Sequence, residues 1–125
     1  MRETASRLVE SFSIKIENLS YPVRFLSGGN LQKLLFARET SETPALLIAA
    51  YPTRGLDVGA TAQARSFLLD LKKKGAAILL ISEELDEIFQ VSDRIAVIFK
   101  GKIMDVFDTP DARIERIGLL MGGAA

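Results

Sequence analysis

The chain has 125 residues, 48% hydrophobic and 26% charged, enough apolar side chain for one globular core and too much for a disordered polyelectrolyte. Sixteen Lys and Arg balance sixteen Asp and Glu, so no net field draws the chain to nucleic acid or to an acidic membrane surface. The absence of Cys and His excludes disulfides, thiolate and imidazole metal sites, a Ser-His triad and a His general base.

Ala5, Leu8, Val9 and Phe12 recur at helical spacing and predict an opening amphipathic helix. The charged stretch from Met1 to Glu10 is unlike a signal peptide. No apolar run nears the roughly 20 residues that span a bilayer, so the cytosol is the expected compartment. A loop over 18–24 contains Pro22. A second helix is predicted by Leu31, Leu34, Leu35 and Arg38, with Pro44 as its stop. The run from Ala45 to Ala50 is continuously apolar and reads as a strand buried on both faces. After a loop over 52–59, Ala64, Phe67, Leu68 and Leu71 mark a third helix, ended by Lys74-Gly75. Ala77 to Ile81 is a second apolar strand, and 83–90 a short helix with acids in its first turn. Strands over 94–99 and 102–107 flank a tight turn at Lys100-Gly101. Thr109 reads as the N-cap of a last helix, with Pro110 at its first position, running to about Gly122. Apolar strands alternating with helices argue for α/β architecture with a parallel sheet. The expected domains are a helical lobe over 1–43 and an α/β part over 44–125.

Ser27-Gly28-Gly29 stands at a helix entry. Two glycines let a backbone approach an anion, and the free N–H groups of a first helical turn attract phosphate. On its own this is also an ordinary turn. Its surroundings are more specific. Leu26-Ser27-Gly28-Gly29-Asn30-Leu31-Gln32-Lys33 followed by Ala37-Arg38 closely resembles the signature motif of ABC-transporter ATP-binding cassettes. Asn30 and Lys33 are similar to the form found in the simple-sugar and nucleoside importer branch. The strand over 45–50 and Tyr51-Pro52-Thr53-Arg54-Gly55-Leu56-Asp57 resemble the family's Walker B strand and inter-cassette loop. Ile81-Ser82-Glu83 resembles its His loop. The resemblance runs from about residue 5 to residue 108, in family order.

The resemblance implies a P-loop-type nucleotide-binding fold. It also exposes departures. The family's Walker B strand ends in Asp then Glu, which hold Mg²⁺ and position the attacking water. Here those positions are Ala50 and Tyr51, and the His that contacts the γ-phosphate is replaced by Glu83. A carboxylate about 4 Å from a phosphate charge costs about 1–4 kcal/mol, depending on the local dielectric. No Gly-x-x-x-x-Gly-Lys-Ser/Thr occurs, so the loop that holds the β- and γ-phosphates is missing, and with it the strand that bears it. The chain is therefore expected to be a truncated part of a second, degenerate cassette.

In such a pair, Leu26, Ser27, Gly28, Gly29, Asn30 and Gln32 would contact ATP bound to a partner cassette, with Gly55, Leu56 and Asp57 at the junction. ATP and Mg²⁺ are expected only in the complete pair and not on this chain alone, which is not itself an ATPase. The implied partners are a first cassette of the same or another chain, transmembrane permease subunits and a solute-binding protein, on the inner face of the cell membrane. The rival reading is a stand-alone ABC-like regulatory module pairing in trans with an intact cassette. The solute is not legible here. Lys72-Lys73-Lys74 reads as a solvated helix end, and Glu83-Glu84 with Asp86-Glu87 as a solvated helix start rather than a metal site. Without the phosphate-loop strand, the strands over 77–81 and 94–99 are expected either to pair directly or to be exchanged between two copies in a homodimer.

Overall fold

The computed structural model describes residues 2–124, in two compact units that divide after Ile81. The first unit holds α1 (Arg2–Ser11), α2 (Gly28–Glu39), β1 (Leu46–Ala50), α3 (Val58–Lys73) and β2 (Ala77–Ile81). The second holds α4 (Leu85–Val91), β3 (Arg94–Phe99), β4 (Lys102–Asp108) and α5 (Ile114–Met121).

In the first unit β1 and β2 pair in parallel, from Leu46 opposite Ala77 to Ala50 opposite Ile81. Parallel neighbours need a crossover, and α3 supplies it. Phe36, Ala49, Ala64 and Leu68 form the buried core, with Phe12, Leu47, Leu56, Phe67, Ile78 and Leu80 packed around it. Phe67 lies 4.8 Å from the Phe12 ring and 5.6 Å from the Phe36 ring, both tilted, a favourable aromatic geometry. Thus α1 and α2 share one core with the parallel strands.

The helix ends follow from local chemistry. Gly75 takes φ 93°, with Gly75 N–H donating to Lys72 C=O and Ala76 N–H to Leu71 C=O. This pattern satisfies the last carbonyls of α3. The same pattern closes α1, but there Ser13, not a glycine, holds the left-handed position at φ 49°. Ser13 N–H donates to Glu10 C=O and Ile14 N–H to Val9 C=O, and Ile14 is buried.

In the second unit β3 and β4 form an antiparallel hairpin. Lys100 and Gly101 both have positive φ, the geometry of the two-residue turn that matches strand twist. Ile95, Val97, Ile117 and Leu120 make its core. A Cβ on Gly123, at φ 84°, would stand 2.5 Å from the Phe99 ring, so glycine is required there both sterically and conformationally.

Several expectations are corrected. Pro44 does not stop α2. Thr40 does, with its N–H and hydroxyl both donating to Phe36 C=O. The buried side of α2 is Phe36 and Ala37, whereas Leu31 and Leu35 are exposed. β1 is buried on one face only. Leu46 and Ile48, with Leu79 and Ile81 of β2, form the uncovered face of the pair. The last helix starts at Ile114. Thr109–Asp111 is a short 3-10 turn, and extended backbone at Ala112 and Arg113 separates the two. Among the described residues β2 pairs with β1 and β3 with β4, each pair a two-stranded sheet of its own unit.

The two faces of the parallel pair predict contrasting mutants. Leu68, 2% exposed, should cost about 2–5 kcal/mol on Leu68→Ala, the range for emptied core sites. Leu79, 53% exposed, should change stability by no more than about 0.5 kcal/mol on Leu79→Thr, as surface positions do. Urea unfolding of both variants checks the assignment of faces. In the same experiment, Ser13→Gly should stabilise by about 0.5–1 kcal/mol, because glycine takes the left-handed position without a Cβ conflict.

Candidate nucleotide-contact site

The site is built from two helix starts in the first unit. Ser27 caps α2, its Oγ accepting from Asn30 N–H at 3.4 Å. Asp57 caps α3, its Oδ1 accepting from Ala60 N–H at 2.8 Å. Short polar side chains in extended backbone satisfy the orphan donors of a first turn, which is why these residues sit here. The two starts are adjacent. A Cβ on Gly29 would lie 3.3 Å from Ala60 Cβ, so glycine permits the close seating of α2 on α3. Gly28 has open space around its Cβ position, and Ser27 and Gly28 are exposed. The positive end of α2 therefore faces solvent with open space at Gly28, beside an α3 start whose positive end the Asp57 carboxylate caps.

Gly55 precedes the second start at φ 74°. It lies in a turn closed by Leu56 N–H donating to Thr53 C=O at 3.1 Å, the place where positive φ calls for glycine. Leu56 packs on the core and Thr53 is buried, which ties the Asp57 loop to the unit's interior. Leu26 and Gln32 are half-buried at and just past the α2 entry.

Ala50 is the last paired residue of β1, opposite Ile81. Tyr51 follows at φ 51°, its N–H donating to Ile81 C=O at 2.8 Å and its C=O accepting from Arg54 N–H at 3.2 Å. Its ring is exposed, with the Arg54 guanidinium 5.5 Å from the ring centroid, within cation–π reach. Glu83 belongs to the second unit and is exposed. Among the described residues no group of three or more acidic side chains is arranged to hold a metal, and no helix is long and apolar enough to cross a membrane.

Sequence reasoning missed three features. Ser13 and Lys15 were unremarkable in sequence, yet Lys33 Nζ donates to Ser13 C=O at 3.1 Å and Lys15 N–H donates to Asn30 Oδ1 at 2.9 Å. The contact of Gly29 with Ala60 was invisible because it joins separate helices. Glu87 was read as part of a solvated helix start. It is instead fully buried, and neither carboxylate oxygen has a hydrogen-bond partner.

No family model matches the chain. Individual proteins do. A glucose import ATP-binding protein of Haloferax volcanii is 46% identical across 98% of this chain. A guanosine import ATP-binding protein of Bacillus subtilis is 43% identical across 99% of it. The chain belongs to the ABC-transporter ATP-binding proteins. It spans about a quarter of the length of these curated relatives, 23% and 24% respectively. Solved cassettes share the fold. The ATP-binding subunit of an ABC transporter superposes with a TM-score of 0.77 at 21% identity, over 96% of this chain and 53% of that one. An ABC-transporter cassette in its ADP conformation gives 0.69 at 24% identity, over 96% and 45%.

The cap assignments predict separable effects. Asp57→Ala should destabilise by about 0.5–2 kcal/mol, the usual loss for an N-cap, while Asp57→Asn stays near wild type. Gly29→Ala should crowd Ala60, so a double-mutant cycle with Ala60→Gly should show a favourable coupling between the two substitutions. Thermal and urea melts of these variants test the seating of α2 on α3.

Proposed function

We propose that this chain is part of the ATP-binding subunit of an importer for simple sugars or nucleosides, and that it presents Ser27, Gly28, Gly29 and Asn30 to ATP held by a partner cassette. One observation carries this reading: the exposed glycine entry of α2 beside the start of α3, within a fold and sequence shared with importer ATP-binding proteins. Helix starts attract phosphate, and a residue without Cβ at Gly28 lets the backbone approach it. Gly55, Leu56 and Asp57 would stand at the junction, with Asp57 also capping α3.

Ala50, Tyr51 and Glu83 occupy the positions where the family places carboxylates and a His. None of the three supplies a Mg²⁺-binding Asp or a water-positioning Glu at the Walker B end. The proposed division of labour follows. The partner holds ATP, Mg²⁺ and the catalytic base, and this chain completes the site as the degenerate member of the pair. We assign 1–43 to the signature-bearing helical part of that cassette, whose α1 and α2 share one core with β1 and β2. In the assembled transporter the subunit would sit at the cytoplasmic membrane face against permease subunits.

Two measurements test the proposal. The purified chain alone should show no magnesium-dependent ATP turnover, since loss of a positioned base typically costs about 10²- to 10⁴-fold. Turnover that co-purifies with the chain through successive steps would contradict it. In a transporter carrying this chain, Gly28→Asp should sharply reduce ATPase activity while the fold survives, because the side chain enters open space and sets a carboxylate against phosphate. Tyr51→Phe should leave activity close to wild type. Normal ATPase activity in Gly28→Asp removes the signature assignment.

A further inference from the structure

We infer that Asn30 is a positioning residue that sets the hydrogen-bond direction of Ser27, making its hydroxyl an outward donor to a nucleotide phosphate oxygen. The inference rests on the proposed site and concerns what makes it competent.

A serine hydroxyl has one proton and two lone pairs, and it can turn to suit its neighbours. At Ser27 two donors converge on Oγ, both from Asn30: the backbone N–H at 3.4 Å and the side-chain Nδ2 at 3.0 Å. Among the described residues Oγ meets these two donors and no acceptor. With its lone pairs engaged by donors, the hydroxyl directs its proton away from Asn30, on the exposed side of the α2 entry. Phosphate oxygens are acceptors only, so a hydroxyl held as a donor is matched to them in advance.

The amide of Asn30 is held in the orientation this requires. Lys15 N–H, which can only donate, bonds Oδ1 at 2.9 Å. That assigns the oxygen end to Lys15 and leaves the NH₂ end for Ser27. Lys15 is itself placed by the left-handed close of α1 at Ser13, whose C=O accepts from Lys33 Nζ at 3.1 Å. A Glu three residues after the N-cap, the commoner arrangement, would be acceptor-only and would reach for a backbone N–H. The end of α1 thus reaches Ser27 through Lys15 and Asn30.

The test is a mutant cycle on Ser27 and Asn30, read by ATPase kinetics with Mg·ATP in a transporter carrying this chain. Asn30→Asp keeps the acceptor for Lys15 but replaces the NH₂ donor by an acceptor that captures the hydroxyl proton. It should lower kcat/KM by roughly ten- to hundred-fold, the scale of one hydrogen bond to a charged group, with an unchanged melting temperature. Asn30→Ala frees the hydroxyl without capturing it and should lose less, whereas a purely structural role would make Asn30→Ala the worse variant. Ser27→Ala should fall about as far as Asn30→Asp, and S27A/N30D no further than S27A. If the double variant falls well below S27A, the aspartate acts through its charge and the inference is overturned. It is also overturned if S27A is impaired while N30D is normal. Full activity in S27A would remove the proposed site itself, and the role of Asn30 with it.

Discussion

Phe36 anchors α2 in the core that β1 and α3 share, among Ala49, Ala64, Leu68 and the Phe67 ring. That seat holds the start of α2 against the start of α3 near Ala60. A packing contact buried in the unit therefore determines geometry at its surface. Core side chains interdigitate at crystal-like density and relax little when disturbed, so a shift of Phe36 would move Ser27 and Gly28 relative to Asp57. The two N-caps do local work as well. Each satisfies a first-turn donor of its own helix, and stability and presentation of the site rest on the same side chains.

The first unit leaves half of its sheet surface bare. Parallel strands are ordinarily covered on both faces, and the apolar runs of β1 and β2 suit that setting. Here Leu47, Ala49, Ile78 and Leu80 meet the core, while Leu46, Ile48, Leu79 and Ile81 do not. An uncovered apolar face beside an open strand edge favours self-association. Glu87 poses a related problem in polar form, since a buried carboxylate without a donor is costly in any charged state.

The elements with strong periodicity were legible from sequence. The spacing of Ala64, Phe67, Leu68 and Leu71 located α3 and its buried side, and Lys100-Gly101 located the hairpin turn. The signature stretch was found as a motif, and it lies at a helix start. What escaped the sequence depends on contacts between elements. Leu31 and Leu35 fit a helical stripe, but the buried residues of α2 are Phe36 and Ala37, so the stripe turned outward. Thr40 ended α2 by bonding Phe36 C=O, ahead of the proline that looked like the stop. Ser13 gave no signal, because serine rarely takes the left-handed form and does so here only as the terminus of α1. The burial of Glu87 was hidden for the same reason: composition suggested water around it.

The parallel pair and its crossover helix occupy one continuous stretch, from Leu46 to Ile81. Every strand pairing of the first unit closes within that stretch, and the second unit's hairpin closes within its own. The parallel pairing joins Leu46 to Ala77, and the entropy of closing such a loop grows only slowly with its length. On a ribosome, the first core would have all its members once Leu80 has emerged, without waiting for any residue of the hairpin. The signature loop would then be seated on α3 while the end of the chain is still being made.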